Sequence, residues 1–327
     1  MLPGTLRLFL QRREKTTSET TNSDKEISPD NHSEIADHKT FSGLIVCPRW
    51  IQPTYDAIAE CAEHGHDIAC LRGNRVSALI HAQHRVTNTA LRQRQFRRHA
   101  DEAACMELAK SLVWAKTAGQ LALLRRAAHR RSDAELDQRA DRLARDRLTI
   151  PGAKTIEALR GSEGIIARTY FGGWPRLLEL PSFQRIPRRA LNPINHLLDL
   201  CYSRLCLTVT LALIDAGVDV ALGTLHAEDD RRPTLALDLM EPLRSLIADR
   251  FVFNVYRDAL NGDWLHHEGS RWSLTTSGRR RWMKRWNTWY FGGRRRAGQK
   301  YAVNETIAIY LAWIDGKGDL RWPTSER

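Results

Sequence analysis

The stretch Gly223–Arg244, GTLHAEDDRRPTLALDLMEPLR, places His226 twelve residues before Asp238 and sets Asp238 three residues before Glu241 in an otherwise apolar run. Glu163, in GSEGIIARTYF, is a fourth polar residue that stands out in a helical pattern. Carboxylates three apart on a helix project from one face and can reach one ion, and twelve residues are enough for a loop to fold a histidine back beside them. A second reading of these residues is structural. Pro242 is tolerated only in a helix's first turn, so a helix beginning near Leu239 would have Asp238 as its N-cap and Glu241 as the N3 partner of a capping box. His226 would then be a hydrogen-bonded core histidine and Glu163 a surface residue. The spacing leaves both readings open, and a carboxylate with several lone pairs can serve both.

The elements that must position these residues fall into two regions. The chain of 327 residues, 42% hydrophobic, is long enough for a sizeable core and suits two domains. TLRLFLQRR, SGLIVCPRW, DIACLR and RVSALI read as strands, with a short amphipathic helix from about Tyr55 to Glu63, a stop at Gly65 and a turn at Gly73-Asn74. Lys15–His38 holds no aromatic residue and almost nothing apolar, so it reads as a disordered insertion that burial cannot order. Residues 1–86 are thus expected to form a small β-rich domain. From Asn88 the texture turns helical: Cys105, Leu108, Leu112, Ala115, Gly119 and Ala122 recur at steps of three and four. Similar patterns cover DAELDQRADRLARDRL, KTIEALRGSEGIIARTYFGGW, NPINHLLDLCYSRLCLTVTLALIDAG and ETIAIYLAWI, so residues 87–327 are expected to be almost wholly α-helical. The fold class is α+β, with the candidate site in the larger helical domain.

A net charge of +12 favours a polyanionic partner through attraction and counterion release. The densest basic segment, SGRRRWMKRWNTWYFGGRRRAGQK, carries Arg279, Arg280, Arg281, Lys284, Arg285, Arg294, Arg295 and Arg296 without an acid. Guanidinium groups suit phosphates, and the interleaved Trp282, Trp286, Trp289, Tyr290 and Phe291 either stack on bases or form one buried helical face. Arg189 in RIPRR and Arg244 join the candidate DNA contacts, and RQRQFRRH is a further basic cluster that also reads as an ordinary solvated helix end. Six cysteines without a paired C-x-x-C spacing read as free thiols in a reducing compartment. The best apolar run, Leu205–Ile214, is too short to span a membrane, and the first residues do not form a convincing signal peptide, so a soluble cytoplasmic protein with no membrane partner is expected.

EGIIARTYF, NPINHLLDLCYSRL, AGVDVALGTLH and LALDLMEPLR, in this order and at these separations, resemble the CRISPR-associated protein one family of spacer-acquisition integrases. NTALRQRQF, the long helix ACMELAKSLVWAKTAGQLALLRR and WSLTTSGRRRWMKRW extend the resemblance over most of the chain. The resemblance implies that metal ligands fall on Glu163, His226 and Glu241, with Asp238 as an adjoining secondary acid. Two carboxylates and an imidazole suit Mg²⁺ or Mn²⁺, with positions open for water and phosphate oxygens. It further implies transesterification: a 3′-hydroxyl of protospacer DNA attacks the CRISPR repeat backbone. The implied partners are double-stranded DNA, a second copy paired through the β-rich domain, and a CRISPR-associated protein two dimer that bridges two such dimers. A related transposon-borne integrase would share the site residues, and a non-catalytic DNA-binding scaffold would keep them only for capping and packing. Val220 departs from the proline usual in the family's pattern, and the polar insertion lengthens the first hairpin.

Overall fold

In the first part of the chain, β1 (Leu10–Gln11) pairs antiparallel with β3 (Gln52–Pro53), while β2 (Leu44–Cys47) runs parallel to β4 (Asp67–Arg72). Parallel strands need a crossover, and α1 (Tyr55–Glu63) lies within it. Thr54 starts that helix by accepting the Ala57 N–H at 3.2 Å. β5 (Arg75–Ile80) adds antiparallel to β4. Cys47, Cys61 and Ile68 form the small core beneath this sheet. A computed structural model describes residues 10–11, 44–47, 52–72, 75–80, 89–187, 189–226, 232–293, 296–297 and 299–323. The expected insertion Lys15–His38 and the Gly73-Asn74 turn lie outside the described residues.

The chain divides into two compact units, Met1–Thr87 and Asn88–Arg327. The second is built on α2 (Thr89–His99), α3 (Glu102–Arg131), α4 (Ala134–Asp146), α5 (Ile156–Gly172), α6 (Trp174–Leu178) and α7 (Pro193–Ala216). Their ends follow local chemistry. Asp101 caps α3, Thr155 caps α5, and Asn192 caps α7 by accepting the Asn195 N–H at 2.8 Å, with Pro193 at the first helical position. Gly217, at φ +81°, ends α7. By length and composition α7 is apolar enough to cross a bilayer, more so than the run Leu205–Ile214 suggests, but Leu197, Leu198, Cys201, Leu205, Val209 and Leu213 bury one face of it in the core.

After α7 come α8 (Thr234–Leu239), the single turn α9 (Glu241–Leu243), a π-helical turn Arg244–Asp249 and α10 (Arg250–Asn261). Pro242 explains the interruption at Met240: it has no N–H for the Asp238 carbonyl, and its ring would clash with that carbonyl in a continuous helix. Within the almost wholly helical unit stands a hairpin of β6 (Leu265–Glu268) and β7 (Arg271–Leu274), turned at Gly269 with φ +60°, which the sequence reading did not single out. Then follow α11 (Thr276–Phe291), the small ribbon β8 (Gly292–Gly293) with β9 (Arg296–Ala297), and α12 (Lys300–Ile314). All six cysteines are free, three buried and three half-buried.

Candidate active site

The loop between α7 and α8 is held from several sides before it delivers His226. Buried Gln95 of α2 clamps it in both directions, accepting the Asp219 N–H at 2.9 Å and donating to the Asp219 carbonyl at 2.9 Å. The Gly223 N–H donates to Thr234 Oγ1 at 3.1 Å, and a Cβ at Gly223 would meet the Thr234 side chain at 2.9 Å, so this approach needs glycine. Arg160, one turn before Glu163 on α5, donates through Nε to the Leu225 carbonyl at 2.9 Å.

Asp238 does not cap a helix. It lies within α8, 0% exposed, and its carboxylate accepts the backbone N–H groups of Thr224 at 2.5 Å, Leu225 at 2.8 Å and His226 at 2.9 Å. Its Oδ1 also takes the His226 Nδ1–H at 2.6 Å. The helix predicted to begin near Leu239 instead breaks there, and the capping-box reading falls with it. Glu241, 1% exposed at the start of α9, meets two cations: Lys116 Nζ at 2.7 Å on Oε2 and Arg244 at 2.9 Å on Oε1. Glu163, on α5, forms a short hydrogen bond with the same Lys116 ammonium.

The site residues therefore form two pairs, Glu163 with Glu241 across Lys116, and His226 with Asp238. Among the described residues no three His, Cys, Asp or Glu side chains close into a ready-made metal cluster. The electrostatics connect the pairs. Burial pushes Glu163 upwards in pKa, but Lys116, Arg244 and His226 outweigh it and leave the carboxyl below its usual value. Burial likewise acts to lower Lys116, and the carboxylates of Glu163 and Glu241 reverse this and raise it.

Behind Glu241, the Arg244 guanidinium lies 4.8 Å over the Tyr202 ring, and the Tyr202 hydroxyl donates to buried Asp249 at 2.6 Å. Tyr170 donates to the other Asp249 oxygen at 2.7 Å. Arg244 is thus turned inward to Glu241 and Tyr202. Spacing singles out neither Lys116 nor Arg160, Gln95, Tyr202 or Asp249. The one signal available for Lys116 was a lysine standing among small and apolar residues in LVWAKTAGQ.

Trp282 and Trp286 are buried against Phe251, and Trp289 donates to the Ile247 carbonyl at 3.2 Å, so these rings form a packed helical face instead of a stacking platform. Outside that face Arg279, Arg280 and Lys284 are exposed, while exposed Arg281 and Arg285 pair with Asp263 and Asp258. Arg189 is exposed. Its neighbour Arg185 is tied to Asn195 at 2.9 Å and Asp199 at 2.6 Å. In RQRQFRRH, Arg92 bonds the Gly217 carbonyl at 3.2 Å and Arg94 pairs with Asp315. Arg294 and Arg295 lie outside the described residues, as does the side chain of Arg296.

The fold of this chain is shared with solved structures. One is a casposase bound to integration product, at TM-score 0.67 and 22% identity, covering 84% of this chain and 78% of that chain. Another is a Cas6-RT-Cas1–Cas2 complex, at TM-score 0.70 and 20% identity, covering 87% of this chain and 32% of that one. The profile of the family described as CRISPR associated protein Cas1 matches residues 23–288, and the chain belongs to that family. A relative named CRISPR-associated endonuclease Cas1 2, from Rhodospirillum rubrum, is 33% identical over 262 residues, which is 75% of this chain and 73% of the relative. A CRISPR-associated exonuclease Cas4/endonuclease Cas1 fusion from the same organism is 37% identical over 192 residues, 56% of this chain and 33% of the fusion. The chain spans between a third and about three quarters of the length of these two relatives.

Proposed function

We propose that the chain is a DNA integrase and endonuclease of CRISPR adaptation, which joins a 3′-hydroxyl of protospacer DNA to a CRISPR repeat by transesterification. The observation that carries the mechanism is the meeting of Glu163 and Glu241, from helices far apart in sequence, on one ammonium. Two carboxylates that already share one ammonium offer hard oxygen donors, and such donors together with an imidazole would suit Mg²⁺ or Mn²⁺. Glu163, His226 and Glu241 are the residues that would hold it. When bound, the ion supplies Lewis acidity at the scissile phosphodiester and lowers the pKa of an attacking hydroxyl.

The protein's own side chains do the rest. Asp238 accepts a hydrogen bond from the Nδ1–H of His226, which keeps the proton on Nδ1 and leaves Nε2 with its lone pair for a ligand role. Asp238 therefore serves as the orienting partner of His226. Arg160 keeps α5 registered to the His226 loop. Attack by water in place of the 3′-hydroxyl gives nuclease activity with no covalent enzyme intermediate. Arg279, Arg280 and Lys284, with the remaining arginines of that segment and Arg189, contact DNA phosphates. The casposase with its integration product and the Cas1–Cas2 assembly support double-stranded DNA and a Cas2 protein as partners. A homodimer formed through the β-rich unit, two of them bridged by a Cas2 dimer in the cytoplasm, completes the reading.

A strand-transfer assay on supercoiled plasmid carrying a repeat, with a short duplex bearing free 3′-hydroxyls, tests it. Joining is expected with Mn²⁺ or Mg²⁺ and not with chelator, and Glu163→Ala, His226→Ala and Glu241→Ala each abolish it while DNA binding persists. Full activity in any of the three overturns the ligand assignment.

A further inference from the structure

Lys116 is halfway along α3, between buried Ala115 and Thr117, with its side chain 7% exposed. An ammonium in such a place is costly to desolvate, and an apolar side chain would suit that helix face better. What compensates it is specific: Glu163 from α5 and Glu241 from α9 both close on Nζ, the latter at 2.7 Å. Glu241 keeps its second oxygen for Arg244 at 2.9 Å. Without a cation between them the two carboxylates would repel each other in a poorly solvated place. A divalent ion bridging the same oxygens would in turn be repelled by the ammonium. Both cannot hold the same carboxylate oxygens, and the unbranched four-carbon stem of lysine gives it the freedom to withdraw.

We infer that Lys116 is a positioning residue that clasps Glu163 and Glu241 as an internal counter-ion, and that a divalent cation enters the centre by exchange against its ammonium. The clasp keeps the two acids assembled before DNA and metal arrive, and it weakens metal binding by the work of displacing a like charge. The exchange rests on the metal-centre reading, and a Mn²⁺ titration tells the failure of one from the failure of the other.

The full chain is stripped with chelator, and Mn²⁺ binding is measured by electron paramagnetic resonance alongside thermal unfolding with and without Mn²⁺. Lys116→Met and Lys116→Gln are compared with Lys116→Arg and wild type. Removal of the charge is expected to lower Tm in chelator, to enlarge the rise that Mn²⁺ produces, and to tighten Mn²⁺ binding by about tenfold or more. The arginine variant keeps the wild-type affinity within about twofold, because the counter-charge stays. The glutamine variant, which retains length and a polar end, decides the matter if the methionine variant does not fold. Mn²⁺ affinity equal to or weaker than wild type in Lys116→Gln overturns the exchange. A wild type that binds no Mn²⁺ at all overturns the metal centre itself, and the exchange with it.

Discussion

Asp238→Ala separates a clamp from a ligand, because the structure gives the carboxylate a measurable task without any metal. Three backbone N–H groups and the His226 ring N–H converge on its two oxygens at 2.5–2.9 Å. Removing the acceptor leaves these donors without partners in a site where Leu225 is 1% exposed. Each orphaned buried donor costs about 1–3 kcal/mol, and partial relaxation of the loop and entry of water reduce the sum to about 3–5 kcal/mol. Asp238→Asn keeps one acceptor oxygen and turns an amide donor towards the other pair, so about 2–3 kcal/mol is expected there.

Urea unfolding of the full chain in chelator, followed by tryptophan fluorescence, reads these losses directly. Because His226 loses its orienting partner, strand transfer by the asparagine variant should also fall by about 10- to 100-fold at saturating Mn²⁺. An Asp238→Ala protein within about 0.5 kcal/mol of wild type in chelator refutes the clamp. A loss confined to the Mn²⁺-dependent part of the stability would instead make Asp238 a direct ligand.

Burial raises Asp249 from 3.8 to about 6, against the hydrogen bonds from Tyr202 and Tyr170. Its folded value exceeds its unfolded one, so its contribution is complete below about pH 4 and is lost as pH rises through about 6. Between pH 4 and 7, wild type should therefore lose about 2 kcal/mol relative to Asp249→Asn in urea titrations at matched pH. At Gly278, in the first turn of α11, a Cβ would stand 2.1 Å from the Trp264 carbonyl oxygen and 2.6 Å from its Cα. Backbone cannot rotate away, so Gly278→Ala should cost about 2–3 kcal/mol and lower Tm. Arg279→Ala, Arg280→Ala and Lys284→Ala together should weaken duplex binding and reduce the slope of log affinity against log salt by about 0.9 for each phosphate no longer neutralised, with unchanged unfolding midpoints.

Elements whose signals are local were legible. The helix read from about Tyr55 to Glu63 with its stop at Gly65 is α1, and the helical pattern NPINHLLDLCYSRLCLTVTLALIDAG is α7, Pro193–Ala216. The hairpin of β6 and β7 carries the signals Asn261-Gly262-Asp263 before it and Gly269-Ser270 at its turn, but strands of four residues are too short to show a clear alternation. At the site, local rules pointed the wrong way. Proline in the first turn is a sound start signal, and Pro242 does stand in the first turn of α9, but the chain arrives there from α8, so the start falls at Glu241 and Asp238 lies inside the preceding helix instead of capping the next one. The family pattern singled out Glu163, His226, Asp238 and Glu241, but the residue that joins two of them, Lys116, is 47 residues from Glu163 in sequence. No spacing rule reaches across two helices, and a lone lysine in an apolar pattern reads as a solvated edge.

The two irregularities between α8 and α10 are what divide the charges. Residues three apart on one unbroken helix share a face, so Asp238 and Glu241 would compete for the same neighbours. The interruption at Met240 frees them to serve different ones: Asp238 holds the His226 loop, and Glu241 meets Lys116 of α3. The π-helical turn then changes the register of everything after it, a distortion that costs hydrogen-bond quality and is found most often at functional sites. Arg244 at its start reaches back to Glu241, and Asp249 at its end lies between Tyr170 and Tyr202. Glu241, Arg244, Tyr202 and Asp249 thereby form one continuous line of polar groups, buried at its two ends and half-buried between them. Along that line, loss of Asp249's acceptor capacity takes that partner from both phenols and leaves the Tyr202 ring beneath Arg244 without its anchor. Pro242 rules out a regular helix from Thr234 to Asn261, and the irregular backbone that results sets this polar geometry.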